Sequence, residues 1–332
     1  MPLQFSANIA NIANIANKTD MTSVLVITGP IFFLIGIGYL AVRSNTIPQA
    51  ALPGMGRFVL HFSLPALIFT TISSMEFDAV IEPAYLLVYG LASLLTLTLG
   101  LTFIHLVRGE SLATSGIMGL GMSMSNSAFI GFPFLLQVFG EPPTQAFAMS
   151  LMVENILIMP LALTIIEYAN RDKSTAGSPA AHGLKVLQRL ARNPLLLAIA
   201  AGMLASMADL NVPEALDKSL KMLAQAAVAV ALFTIGGTLS VNTTRDDFGS
   251  ISTVLIGKLL LHPLLVFLLL MLAPELSPEL QLSMILLAAM PMLSIFPIIG
   301  SNYGIGKLCA SILLFTTVLS FISLTTLLVL LT

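Results

Sequence analysis

Apolar runs of about 20 residues recur along the whole chain, and each is long enough to cross a hydrocarbon core as a helix. Lipid offers no partner for backbone N–H and C=O groups, so a run of this kind has to satisfy them internally, as a helix does. We place ten spans at 22–42, 54–73, 83–107, 113–139, 143–168, 194–208, 219–240, 249–272, 279–303 and 306–331. Only 9% of the 332 residues are charged and 57% are hydrophobic, too little charge to cover a soluble surface. The expected fold is an all-α polytopic membrane protein.

The fourth span is interrupted by Asn126, Ser127, Ala128, Phe129, Ile130, Gly131, Phe132 and Pro133. A prolyl ring removes one amide donor and clashes with the carbonyl four residues back. Two half-helices meeting near the bilayer midplane are therefore expected here. The ninth span carries a counterpart, with Pro291 and Pro297 in 286–304. Backbone groups freed at such breaks need protein, water or a solute as partners, so broken helices tend to line a site. A kinked packing helix is the plainer alternative.

An offset of 164 residues superposes the two halves: Phe132-Pro133 falls on Phe296-Pro297, Gly140 on Gly304, Pro30 on Pro194, Gly38 on Gly202 and Arg57 on Lys221. Residues 1–168 and 194–332 thus read as two five-helix repeats, joined by a polar connection at 169–193 with a short surface helix or a plain loop near 184–190. Five spans per repeat is an odd number, which inserts the second repeat upside down. The offset places Asn126 on Met290, so the two breaks differ in polarity and Ser294, Ser301 and Asn302 remain as polar candidates in the second.

Positive residues near span ends decide the orientation. With both termini on the non-cytoplasmic side, Arg43, Arg57, Arg108, Arg171, Lys173, Lys185, Arg189, Arg192, Arg245 and Lys307 face the cytoplasm, ten against Lys18, Lys218 and Lys221 outside. Met21 directly precedes the first apolar run and is an alternative natural start, which would make the first twenty residues dispensable.

Half-helix N-termini present free amides and the positive end of a dipole, which suits a carboxylate. Substrate-binding candidates are Asn126, Ser127, Gly131, Pro133, Pro291 and Ser294. Asn126 can donate and accept, toward solute or toward the opposing break. Gly131 permits close backbone approach, while Pro133 and Pro291 set the break. Coupling candidates are Glu154, Asn155, Lys258 and His262. Glu154 is the only acid deep in a span, to be read as a proton or cation site or as a hydrogen-bonded packing acid. Lys258 and His262 share a face four residues apart, and Lys258 could neutralise Glu154, assist an anion, or snorkel to the interface. Arg57 and His61 repeat that spacing near the cytoplasmic end of the second span.

Other chemistries find no support. Cys309 is the single cysteine, His61, His105, His182 and His262 show no metal-ligand spacing, and no phosphate-binding loop is present. Neither a metal nor another cofactor is expected, an enzyme is disfavoured, and no basic cluster points to nucleic acid.

At the first break the sequence resembles the auxin efflux carrier family, including its bacterial malonate and organic-anion carriers, through Asn126, Gly131 and Pro133, with Ala128 where glycine is often found. Pro291 followed by Met292, Leu293 and Ser294, closed by Gly304, resembles the second crossing. The resemblance implies the fold of the bile acid/auxin transporter superfamily. Spans 1, 2, 6 and 7 would form a scaffold that often dimerises, and spans 3–5 and 8–10 an elevator-like transport domain. It also implies alternating-access transport of a small mono- or dicarboxylate across a plasma membrane, the bacterial inner membrane among them. Proton and sodium coupling both stay open. A sodium-coupled bile-acid-like symporter is the nearest alternative, and a membrane receptor or sensor a more distant one. Lipid and a second copy of the chain are the other expected partners.

Overall fold

The computed structural model describes residues 21–75, 80–141, 143–170, 188, 191–210, 212–239, 247–274 and 276–331, with backbone only for 21–28, 330 and 331. Lys18, Arg171, Lys173, Lys185, Arg189 and Arg245 of the charge count, and the surface helix considered near 184–190 apart from Gln188, lie outside the described residues.

Helices account for nearly all of the described chain: α1 (Met21–Arg43), α2 (Gln49–Ile72), α3 (Pro83–Leu106), α4 (Leu112–Phe139), α5 (Thr144–Ala169), α6 (Pro194–Met207), α7 (Glu214–Leu239), α8 (Phe248–Leu270), α9 (Pro278–Ala289 and Phe296–Ser301) and α10 (Gly306–Leu331). Among the described residues, α2, α3, α4, α5, α7, α8 and α10 are long and apolar enough to span a membrane, while Gly29–Arg43, Pro194–Met207 and Pro278–Ala289 are shorter apolar helices. The chain is an all-α, multi-spanning membrane protein, with seven long apolar helices among the described residues.

Two helices begin earlier than the hydrophobic runs suggest. Helix α7 starts at Glu214 because its polar first turns are laced by Lys218 to Glu214 at 2.6 Å and Lys221 to Asp217 at 2.8 Å, both four residues apart. Helix α2 starts at Gln49 with a tight turn before Pro53.

The breaks in α4 and α9 also sit elsewhere than the prolines alone imply. Helix α4 leaves helical geometry at Met124 (φ −106°, ψ 137°) and resumes at Ser127, so Pro133 lies inside its second half. In α9 the chain leaves at Met290 (φ −62°, ψ 153°) and resumes at Phe296, with Pro291 in the extended part. Pro133 is tolerated because it follows a wide π-helical turn, Ser127–Gly131. The same arrangement occurs three more times: Val59–Ser63 before Pro65, Val153–Ile158 before Pro160, and Gly257–Leu261 before Pro263. An added residue in the turn carries the obstructed carbonyl away from the ring, so the helix passes the proline without breaking.

Packing repeats between the halves. Helix α1 lies so close to α7 that a methyl group on Gly38 would overlap the Phe233 carbonyl, and one on Gly236 would overlap that of Ile35. Helix α6 meets α2 in the same way, with a methyl on Gly202 falling 2.9 Å from Ile72 Cβ and 3.5 Å from the Phe69 oxygen. Shifting Gly38 forward and Phe233 back by the 164-residue offset gives Gly202 and Phe69. Gly140 and Gly304, also related by that offset, both hold left-handed backbone (φ 76° and 79°) where α4 and the second part of α9 end. Elsewhere α3 packs on α4 and α8, α4 on α5, α9 on α8 and α5, and α10 on α8 and the end of α9. Large apolar side chains such as Phe33, Leu40, Leu87, Leu106 and Leu264 point outward, as lipid contact requires.

Candidate functional site

The two breaks touch. Asn126 donates its main-chain N–H to the Pro291 carbonyl at 2.7 Å and its Nδ2 to Ser294 Oγ at 2.8 Å. Its own Oδ1 accepts from the Phe129 amide at 3.3 Å, and its carbonyl accepts from Ile130 and Gly131 at 3.0 and 2.9 Å. Asn126 therefore caps the second half of α4 and joins it to α9 with one side chain.

A cavity of about 290 Å³ opens beside this junction. The breaks line it with Ser125, Asn126, Ser127, Leu293 and Ser294; α5 contributes Glu154 and Asn155; α2 and the start of α6 contribute His61 and Asn193. Its wall is mostly apolar, with these few polar groups converging, the usual composition of a small-solute pocket.

Glu154 is buried and accepts two hydrogen bonds at Oε1, from Ser127 Oγ at 2.6 Å and from Tyr89 Oη at 3.0 Å. Asn155 donates to the Leu151 carbonyl at 2.9 Å and accepts at Oδ1 from Asn193 Nδ2 at 3.0 Å, which ties α5 to the N-terminus of α6. Asn193 Oδ1 in turn caps α6 through the amides of Leu195 and Leu196.

Lys258 lies behind the cavity wall with no solvent exposure, so it does not snorkel. Its ammonium meets Ser125 Oγ at 2.7 Å, the Ala288 carbonyl at 2.9 Å and His262 Nδ1 at 2.9 Å. His262 in turn meets Ser93 Oγ through Nε2 at 3.1 Å. No ion pair joins Lys258 to Glu154 among the described residues. They are linked instead through Ser125 and Tyr89, whose hydroxyls lie 3.5 Å apart.

Of the residues singled out from sequence, Asn126, Ser127, Ser294, Glu154 and Asn155 gather at the cavity, and Lys258 and His262 reach it through Ser125. Three do not line it. Gly131 faces α9, where a methyl group would fall 2.7 Å from Leu287 Cδ2; Pro133 sits in the second half of α4; and Pro291 contributes its carbonyl to Asn126. Ser301 lies at the far end of α9, bonded to the Pro297 carbonyl at 2.8 Å. Sequence reasoning missed Ser125, Tyr89, Ser93 and Asn193. Tyrosines four residues apart in a span, Tyr85 and Tyr89, were the available signal for an inward polar face, and Asn193 before Pro194 was the signal for a helix cap.

Comparison with known proteins places this geometry in context. Residues 23–328 match the family described as "Membrane transport protein". The chain is 28% identical over 309 residues, 93% of its length and 96% of the relative's, to the "Putative malonate transporter" of Rhizobium meliloti (strain 1021). It is 23% identical over 295 residues, 88% of its length and 92% of the relative's, to the "Uncharacterized transporter YfdV" of Escherichia coli (strain K12). With the mouse "Lysosomal cholesterol signaling protein" it shares 26% identity over 246 residues, 70% of this chain and 28% of that one.

Proposed function

The chain belongs to the membrane transport protein family, and on that premise we propose that it is a secondary active transporter of a small organic anion, a mono- or dicarboxylate, and not an enzyme. The observation that carries this reading is the cavity at the crossing, where the second Nδ2 hydrogen of Asn126 and the Ser294 hydroxyl can donate to a carboxylate at the start of the second half of α4, and Ser127 links the cavity to Glu154. The name of the Rhizobium relative supports a dicarboxylate such as malonate as the first solute to try.

In this reading the ten helices form two inverted five-helix repeats. Helices α1, α2, α6 and α7 form the scaffold, and α3 to α5 with α8 to α10 form the moving domain. The glycine contacts that bind α1 to α7 and α6 to α2 support a rigid scaffold, and its outward apolar side chains suit both lipid and a second copy in a homodimer. The cavity lies between the two groups, with His61 and Asn193 on one side and Glu154 and the breaks on the other. Because α6 begins just after the basic connection assigned to the cytoplasm, the cavity in this state faces inward. Glu154 is the candidate coupling group, a proton acceptor that the solute would reach through Ser127. Both termini lie outside a plasma membrane, as in a bacterial inner membrane.

Likeness to the mouse signaling protein supports a second reading, a sensor that uses the same cavity without flux. Uptake of labelled malonate by proteoliposomes separates the two. Calorimetry with malonate, malate, an aromatic carboxylate and a neutral amide then defines the class. Preference for the neutral amide over every carboxylate would overturn the anion site.

A further inference from the structure

We propose that the groove between α3 and α8 holds one phosphatidylethanolamine molecule, with an acyl chain along the groove and the zwitterionic headgroup on Arg108 and Asp247. The groove has a volume of about 410 Å³ and is walled by Leu99 and Phe103 of α3 and by Thr253, Ile256 and Leu261 of α8. Met122 of α4 forms its floor, because Gly100 and Gly257 bring both helices so close that a methyl group on either would overlap the Met122 sulfur. Leu99, Phe103 and Ile256 on the rim are about half exposed, so the groove opens toward the hydrocarbon. Its lining carries no charge, and Thr253 directs its hydroxyl to the Gly249 carbonyl at 2.8 Å. A lipid tail is as apolar as these walls, so the groove contributes close contact and not a hydrophobic gain. Selectivity has to come from the end of the groove.

There, one turn beyond Thr253, two opposite charges meet. Arg108 follows the end of α3 and Asp247 immediately precedes α8, which sets both at the level of the lipid headgroups. Arg108 packs over Gly249, where a methyl group would fall 2.7 Å from Nη1. Its Nη2 reaches Asp247 Oδ1 at 3.3 Å and Ser250 Oγ at 3.2 Å, while its buried Nε finds no acceptor among the described residues. The protein therefore does not saturate this guanidinium. Asp247 meets Arg108 and the Ser250 amide through the same oxygen, Oδ1. The pair is open to the outside, with 28% of the arginine side chain and 37% of the aspartate side chain exposed. A headgroup bearing only a negative charge would gain from Arg108 and be repelled by Asp247. A phosphate joined to a primary ammonium matches both, the phosphate accepting from the guanidinium and the ammonium donating to the carboxylate. Phosphatidylglycerol lacks the cation, and the quaternary ammonium of phosphatidylcholine has no N–H to donate.

Native mass spectrometry of the full-length protein in detergent, with equimolar phosphatidylethanolamine, phosphatidylglycerol and phosphatidylcholine of the same acyl chains, tests this without any transported solute. The parent should retain one phosphatidylethanolamine about tenfold better than either of the other lipids. Arg108→Gln and Asp247→Asn should each remove that preference. Thr253→Phe, which fills the groove and leaves both charges in place, should lower retention about fivefold or more. Water-soluble phosphoethanolamine in excess should not displace the lipid, because it has no chain for the groove. Should either charge variant fail to fold, Thr253→Phe on the lipid-facing rim still decides. Equal retention of the three lipids by the parent would overturn the inference, as would displacement by phosphoethanolamine or a folded Thr253→Phe protein that retains phosphatidylethanolamine as the parent does.

Discussion

Asn126 and Ser294 meet at 2.8 Å across the two broken helices, and the hydrogen bond joins positions 168 residues apart in the chain. Met290, not Ser294, is the residue that the repeat offset sets opposite Asn126, and it is an apolar residue in extended backbone. The crossing is therefore polar on one strand by sequence symmetry and on both by geometry.

Replacing Asn126 by Ala should weaken malonate binding by roughly 1–3 kcal/mol, about 5- to 150-fold, because the cap of the second half of α4 and the Ser294 hydroxyl each lose a partner. A double-mutant cycle with Ser294→Ala should return a coupling of about 0.5–1.5 kcal/mol. Calorimetry on monodisperse protein is the measurement. Additive losses would mean that the contact contributes nothing to the bound state.

Glu154→Gln keeps the shape of the side chain and removes the ionisable carboxyl group that Ser127 and Tyr89 hold. Accumulation of malonate driven by a pH gradient should cease while binding persists. Gradient-driven uptake equal to that of the parent would reduce Glu154 to a packing acid, leaving Lys258, His262, Tyr85 and Tyr89 as the ionisable groups around it.

A methyl group added at Gly236 would collide with the Ile35 carbonyl, whereas one at Gly36 meets nothing within 4 Å. Gly236→Ala should destabilise by about 1–3 kcal/mol through overpacking. Gly36→Ala should be neutral or stabilising by up to about 1 kcal/mol, since alanine is the better helix former. Paired melting curves decide. Equal effects would remove the close approach of α1 and α7 as a source of stability.

Asp247 caps α8 from outside the span. Partial burial raises its pKa, but the Ser250 hydroxyl, the amides of Ser250 and Gly249, and Arg108 at 3.3 Å together hold it below the usual carboxylate range. A depressed folded value means that its contribution is complete above about pH 4 and fades as the pH falls further. Asp247→Asn should lower the melting temperature at neutral pH, and the gap from the parent should close in acid. A gap unchanged between the two conditions would assign the effect to something other than the charge.

A cysteine at Ser174, with Cys309 replaced, should react with a membrane-impermeant reagent only from the cytoplasmic side. One placed before Met21 should react only from the other. Labelling of Ser174 from outside would invert the orientation.

Much of the architecture was legible because apolar length is a strong signal. Helix positions followed from the hydrophobic runs to within a few residues, except where α2 begins at Gln49 and where ion pairs of Glu214 with Lys218 and of Asp217 with Lys221 extend α7 into polar sequence. The role of Pro133 was not legible. A proline's effect depends on whether the turn before it can widen, and residue types at 127–131 do not announce that. Glu154 and Asn126 stood out as polar groups in apolar runs, and both face the cavity. Ser125, Tyr89 and Asn193 did not stand out, because a serine, a tyrosine or an asparagine near a helix end is ordinary until a partner from a distant helix meets it.

The four wide turns have a bearing on how the lipid-facing and inward-facing sides are assigned. Each holds one residue beyond the regular count, so the helix continues about 100° out of phase with its start. An outward stripe drawn through the first half of α5 therefore ends up on another side after Ile158, and Glu154 occupies the residue where the phase slips. His61, Ser127 and Lys258 occupy the same kind of place. Closing one of these turns to ordinary helical pitch would turn the part of the helix beyond it by about 100° against the part before it, the polar group at the slip included, and proline two residues later is what holds the turn open.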